Sequence, residues 1–230
     1  MKSPKICICY GTNCGATEKT ANLIREEFLR QTVDVQIDTF NLSEDGPPYW
    51  KNYNFLVLGS PTYYNGHLQD DWSDTVLTTP PNELQNKPVA LFGLGDQESF
   101  SFTFVDGLGH LANWLLKECY ANLTGYWPVQ NCHSANRLTT EQVSDSNFKT
   151  PHSLANYNFE KSAALTTHCN QPVFYGLALD QYSQNELTAD RISCWCQSLI
   201  DDWGLNTYNE FTSAHILSLT NFNHPNALSR

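Results

Sequence analysis

Apolar and polar positions fall in blocks along this chain. Lys5–Tyr10, Val33–Phe40, Phe55–Gly59 and Val89–Gly93 are short runs rich in branched residues and read as strands. Continuous apolar runs of this kind fit strands covered on both faces. A helical period follows in Thr17–Leu29 through Ala21, Ile24 and Phe28, and in Phe104–Leu116 through Leu108, Leu111 and Leu115. It returns in Leu187–Trp203 through Ile192, Trp195 and Leu199, with Thr188 as the expected N-cap. Strands alternating with helices predict an α/β chain: a parallel sheet with helices on both faces. The rhythm breaks in the polar segment 129–171, which separates two strand-like pieces, Leu123–Trp127 and Pro172–Gly176. A loop so long inside one domain is usually functional or disordered. The tail 206–230 carries two formal charges, Glu210 and Arg230, and its stretch Phe211–Phe222 fits a short helix. There is no internal repeat and no low-complexity tract.

Composition narrows the function classes. Thirteen basic against twenty-four acidic residues give a net charge of −11, while charged residues are only 16% and apolar ones 40% of 230. Such a chain can bury one large core and is no disordered polyelectrolyte. Its acidity disfavours nucleic acid and anionic membranes and favours a basic partner. Near the start, Ile6-Cys7-Ile8-Cys9 is far shorter than the roughly 7–15 apolar residues of a signal peptide, and no run approaches the roughly 18 needed to span a bilayer. The expectation is a cytoplasmic protein without membrane insertion, whose eight Cys are free thiols. Two glycosylation-like triplets, at Asn41 and Asn122, are then read as chance.

Three loops carry candidate chemistry. The first strand runs into Gly11-Thr12-Asn13-Cys14-Gly15-Ala16-Thr17 and then directly into a helix. Backbone N–H groups, two hydroxyls and the positive end of a helix suit a phosphate. The loop has no Lys and so is not a triphosphate P-loop, and the third glycine of the dinucleotide fingerprint is missing. The same residues also fit a plain turn capping a helix. The third strand ends in Gly59-Ser60-Pro61-Thr62-Tyr63-Tyr64-Asn65-Gly66 and the fourth in Gly93-Leu94-Gly95-Asp96-Gln97-Glu98-Ser99-Phe100. Each offers a large aromatic beside glycine, at the strand ends where open α/β sheets bind ligands. Singly these aromatics fit core or surface filler. Together with the first loop they describe a slot for a flat ring with a phosphorylated tail.

These residues resemble the flavodoxin family, and within it the long-chain flavodoxins. The matching pieces are Tyr10–Lys19, Gly59-Ser-Pro-Thr62, Gly66-His-Leu-Gln-Asp-Asp-Trp72, Phe92-Gly-Leu-Gly-Asp-Gln97, Gly125-Tyr-Trp127, Gly176-Leu-Ala-Leu-Asp180 and Leu187–Ile192, in order over residues 5–205. The resemblance implies a flavodoxin-like three-layer α/β/α sandwich whose five-stranded parallel sheet has order 2-1-3-4-5, a topology inherited from the family. It implies a flavodoxin-like domain over 1–205, split in its fifth strand by the 129–171 loop and followed by a 206–230 extension. It also implies an FMN site. Thr12, Asn13, Cys14, Gly15, Ala16 and Thr17 would hold the phosphate, and Thr62 and Asp180 would lie near the ribityl chain. Tyr63 and Phe100 would sandwich the ring, with Leu94, Gly95, Asp96 and Gln97 at its pyrimidine edge. Pro61, Tyr64, Asn65, Gly66, Thr103 and Phe104 complete the expected set, and the Tyr64–Asn65 peptide would reorient on reduction. Departures are Cys14 where the family commonly has Thr or Ser, Tyr63 where it has Trp, and Phe100 where it has Tyr. The 129–153 enlargement and the tail are further departures.

Charge points the same way. Between Asn52 and Leu116 the acids Asp70, Asp71, Asp74, Glu83, Asp96, Glu98 and Asp106 face one base, Lys87. Carboxylates around a ring disfavour its reduced, negatively charged form and attract basic docking surfaces. The expected function is that of a low-potential one-electron carrier, a monomer and not an enzyme. Its expected partners are basic redox proteins such as a ferredoxin/flavodoxin-NADP reductase, together with electron-accepting enzymes. The alternatives are an NAD(P)H-quinone reductase of the same fold and a non-redox binding module. Cys132-His133, His152 and His168-Cys169 invite a metal, but adjacent ligands point apart, unlike the two-to-four-residue spacing of zinc sites, so no metal site is expected. Cys7 and Cys9 share one face of a buried strand and read as core thiols, and Cys194-Trp-Cys196 lacks redox-pair spacing.

Overall fold

The computed structural model describes residues 3–64, 66–128, 154–155 and 173–205. The strands are β1 (Lys5–Tyr10), β2 (Gln36–Asn41), β3 (Phe55–Tyr63), β4 (His67–Leu68), β5 (Pro88–Gly95), β6 (Asn122–Thr124), β7 (Trp127–Pro128), β8 (Leu154–Ala155), β9 (Val173–Phe174) and β10 (Leu177–Asp180). The α-helices are α1 (Ala16–Gln31), α2 (Leu42–Asp45), α3 (Asp70–Thr78), α4 (Asp106–Lys117) and α5 (Thr188–Asp202).

The main sheet runs β2-β1-β3-β5-β10, every neighbour parallel. With β3 on one edge of β5, both β6 and β10 lie on the other, β6 opposite Pro88–Ala90 and β10 opposite Phe92–Gly95. The fifth strand of the expected 2-1-3-4-5 order is therefore made of two pieces far apart in the chain. β4 folds back antiparallel on the end of β3, pairing Thr62 with Leu68 and Tyr63 with His67. β7, β9 and β8 form a small antiparallel sheet of their own.

The core follows from the apolar runs. Ile6–Cys9, Leu56–Leu58 and Val89–Phe92 are fully buried, which requires cover on both faces. α1 supplies Ala21, Ile24 and Phe28 to one side and also packs on α5, while α4 lies on β3 and β5 with Leu108, Leu111 and Leu115 inward. Each such large side chain contributes roughly 1.5–3 kcal/mol when fully buried. Burial pushes the Cys7 and Cys9 thiols above their ordinary range, as expected of core thiols.

Several sequence expectations shift. The strand read at Val33–Phe40 starts at Gln36, because Asp34 has φ 64 and ends the preceding turn. It is also an edge strand with mostly half-buried or exposed residues. The piece Leu123–Trp127 divides into β6 and β7 around Gly125, whose φ is 69. Among the described residues of Pro172–Gly176, Val173–Phe174 is the strand; the parallel strand is the next run, Leu177–Asp180. α4 begins at Asp106, not Phe104, because Val105 sits at φ 51. Thr188 is no N-cap. It has helical φ and ψ and donates its backbone N–H to Asn185, continuing a 3₁₀ turn, Asn185–Leu187, that already occupies the N-terminal groups. The 129–171 loop apart from 154–155, the 206–230 extension, and Cys132, His133, His152, His168, Cys169 and Asn65 lie outside the described residues.

Candidate functional site

Four loops at the C-terminal ends of β1, β3, β5 and β10 enclose a cleft of about 480 Å³, within the size range of cofactor pockets. Its lining includes Thr12, Cys14, Ala16, Thr17, Pro61, Thr62, Tyr63, Tyr64, Leu94, Gly95, Asp96, Phe100, Thr103 and Phe104. Gln181 and Tyr182, after β10, complete it and were missed from sequence. The signal was present: Leu177-Ala178-Leu179 is a buried run, and a strand there would have put the following residues at the ligand end.

The first loop is shaped by its own short-range bonds. Gly15 takes φ 77 at the entry to α1 and donates its N–H to Thr12 Oγ1 at 3.0 Å, and Lys19 N–H closes the first turn on Gly15 O at 3.0 Å. A side chain at Gly15 would be strained in this left-handed conformation. The loop therefore wraps the N-terminus of a sixteen-residue helix, with its dipole directed at the cleft. Thr17 lines that cleft with 0% exposure, and its Oγ1 has no hydrogen-bond partner among the described residues. A buried hydroxyl without a partner is costly, and among the orphan side-chain atoms of the described residues this one belongs to the cleft lining. Cys14 is exposed beside it and lines the same wall.

The cleft wall is also aromatic. Tyr63 closes β3 and Phe100 sits in the turn after β5, 48% exposed. Burial pushes the Tyr63 phenol up; Cys14, Asp70 and Tyr182 push the same way, against a hydrogen bond from the Asn13 backbone. Asp70 is thus electrostatically in view of the ring wall. Tyr64, at φ 48 and 81% exposed, and Tyr182, 82% exposed, stand at the rim. Thr62 Oγ1 accepts from Gly107 N–H at 3.0 Å, leaving its own O–H to donate. Asp96 Oδ1 accepts from the N–H groups of Glu98 and Ser99 at 3.0 and 2.9 Å and so folds the turn that carries Phe100.

Other expected residues stand behind the lining. Asn13 is exposed and its Oδ1 accepts from Gln69. Gly66 is buried, with its carbonyl 3.0 Å from His110 Nε2. Gln97 is buried, donating its N–H to Asp180 Oδ2 at 3.1 Å and its Nε2 to Ser183 Oγ at 3.3 Å. Asp180 has 0% exposure; besides Gln97 it accepts from the N–H groups of Tyr182 and Ser183 and from Ser183 Oγ. Burial alone would raise its carboxyl, but these hydrogen bonds prevail and hold it below the usual range. It orders the turn that delivers Gln181 and Tyr182. The acids also divide: Asp70, Asp74 and Glu98 are exposed, whereas Asp106 is 4% exposed and cannot contribute to an open acidic face. Lys87 Nζ is occupied by the carbonyls of Tyr53 and Lys51.

The cleft thus combines a helix N-terminus, hydroxyls and two aromatic side chains, Tyr63 and Phe100, in one lining. Comparison with known proteins agrees. The flavodoxin family model matches residues 8–133. A flavodoxin of Buchnera aphidicola is 35% identical over 196 residues, covering 85% of this chain and 95% of that one. Flavodoxin 1 of Escherichia coli is 31% identical over 199 residues, covering 86% and 94%. Among solved structures, a mutant of Fusobacterium nucleatum flavodoxin, bound to flavin mononucleotide, superposes with a TM-score of 0.60 at 26% identity, covering 86% of this chain and 96% of that one. On its sequence, its sheet order and its cleft, this chain belongs to the flavodoxin family.

Proposed function

We propose that the cleft holds FMN and that the protein carries single electrons between redox enzymes without transforming a substrate itself. The observation that carries this reading is the pairing, within one cleft, of the orphan buried Thr17 hydroxyl at a helix N-terminus with the Tyr63 and Phe100 rings. The residues fit the cofactor. Thr12 through Thr17 offer backbone N–H groups and hydroxyls to a phosphate without cancelling its charge, which favours a monophosphate over a longer phosphate chain. Tyr63 and Phe100 offer faces for stacking worth about 1 kcal/mol beyond area burial. Thr62, Gly95, Asp96, Gln181 and Tyr182 complete the lining. Bound FMN supplies reversible uptake of one electron at a time. The chain's part is to orient the ring, keep part of it open at the rim and set the surrounding charge.

Asp70, Asp74 and Glu98 support a basic docking partner such as a reductase, at the edge where the ring would emerge. Among the described residues no helix is long and apolar enough to cross a membrane. The acidic charge disfavours anionic membranes and nucleic acid, and we read the protein as a cytoplasmic monomer with residues 1–205 as the flavin-binding unit. The test is an absorbance spectrum of the protein reconstituted with FMN, followed by a redox titration and an NAD(P)H–quinone assay. A stoichiometric flavin spectrum, two separated one-electron steps and negligible quinone turnover are expected. Failure to take up FMN would refute the site, and rapid quinone turnover would make the protein a reductase.

A further inference from the structure

We propose that Gln69 is a positioning residue that clamps the Thr12–Thr17 loop in its anion-binding shape, acting through Asn13. The inference rests on the reading that this loop takes the phosphate of FMN, and it concerns a residue that does not line the cleft.

Gln69 follows β4 and is 1% exposed. Its Oε1 accepts from Trp72 N–H at 3.2 Å, capping α3. Its Nε2 donates to Asn13 Oδ1 at 3.0 Å and to Asp71 Oδ2 at 2.6 Å. The amide orientation is fixed, because turning it over would set an N–H against an N–H and a carbonyl against two acceptors. The side chain also lies across Gly11, where a Cβ would come within 2.2 Å of Oε1. Around it the ends of two strands meet: Gly59 O accepts both Gly11 N–H at 3.1 Å and Trp72 Nε1–H at 2.7 Å. Gln69 thus joins the start of α3 to the only turn between β1 and α1, and it grips the turn by a side chain that is otherwise exposed to water. Backbone amides bind an anion well only when they are already oriented toward it, so slack in this turn is paid at binding.

Capping and clamping use different atoms, so they separate experimentally. Gln69→Ser keeps a capping oxygen for Trp72 N–H but cannot reach Asn13. Asn13→Ala removes the acceptor from an exposed side chain and leaves the backbone N–H in place. The two variants and their combination, freed of flavin, are titrated with FMN and with riboflavin. Each single variant is expected to lower the FMN-to-riboflavin affinity ratio about tenfold, or about 1.4 kcal/mol. Riboflavin affinity should change less than threefold. The double variant should lose no more than either single one, because both remove the same bond. If Asn13→Ala keeps the parent ratio, or if the two losses add, the clamp is refuted and Gln69 is only a cap. Should Gln69→Ser fail to fold, an unchanged ratio in Asn13→Ala still refutes the clamp. A parent that binds neither flavin would instead overturn the FMN reading itself.

Discussion

Replacing Thr17 by Val tests the cradle most sharply, because it should move stability and affinity in opposite directions. Valine keeps the shape of threonine and removes one hydroxyl that is fully buried and has no partner among the described residues. In the flavin-free protein an unsatisfied buried polar group costs about 1–3 kcal/mol, so its removal should stabilise the fold by about that amount or somewhat less. For a chain of this size each 1 kcal/mol shifts Tm by roughly 2–4 °C, so the flavin-free variant should melt a few degrees higher. With FMN, the lost hydroxyl would have donated to a charged acceptor, a bond worth roughly 1.5–3 kcal/mol. FMN affinity should therefore fall about 10- to 100-fold. Riboflavin, which brings no phosphate, should bind as it does to the parent. Calorimetric titration with both flavins and thermal melts of the flavin-free proteins read all three quantities. A flavin-free variant less stable than the parent would mean that the hydroxyl has a partner within the protein. Unchanged FMN affinity would mean that the phosphate lies elsewhere.

Neutralising Asp70 and Asp74 to Asn should raise the lower of the two midpoint potentials of the FMN-loaded protein. Taken at about 10 Å in water, each charge is worth roughly 0.4 kcal/mol before salt screening, so a rise of about 10–35 mV is expected by redox titration at low salt. The same pair should slow reduction by a basic reductase and flatten its salt dependence in stopped-flow; an unchanged salt slope would reduce the acidic face to a solubility feature. Among the described thiols Cys14 and Cys194 are exposed, so iodoacetamide should label both in the flavin-free protein, and FMN should protect Cys14 alone, as read by peptide mass spectrometry. Cys14→Thr should tighten FMN by about 1 kcal/mol, a hydroxyl being the better donor to phosphate. Asp180→Asn should destabilise the fold at pH 7 by about 2 kcal/mol in urea denaturation, since an amide N–H₂ would face backbone donors. The Asp180 carboxyl is lowered in the folded state, so its contribution is complete above the unfolded value and lost as pH falls through the folded one. The gap between variant and parent should therefore hold from pH 7 to about 5 and close below about 4.

The order of elements and the first half of the cleft were legible along the chain because they rest on local signals. Buried parallel strands appear as unbroken apolar runs, and Ile6–Cys9, Leu56–Leu58 and Val89–Phe92 are such runs. The Thr12–Thr17 loop was readable because glycine, hydroxyls and a following helix are contiguous in sequence. Tertiary structure alone decided what depends on residues far apart. The split of the fifth strand was expected from the family resemblance and not from any local pattern, and only pairing along β5 assigns its second piece to Leu177–Asp180 and brings Gln181 and Tyr182 to the cleft. Asp180 and Gln97 stand behind the lining, and the hydrogen bonds by which they join two loops are not announced by the sequence. Asp106 counted as surface charge in the sequence and is buried in the fold. The same holds for Gln69, which reads as one polar residue among several before a tryptophan. Its hydrogen bond to Asn13 spans 56 residues, and no propensity or period can announce a side-chain bond at that separation. Periodicity reports which face of an element is covered, whereas the partner of a buried polar atom is chosen by whatever the fold places within about 3 Å of it.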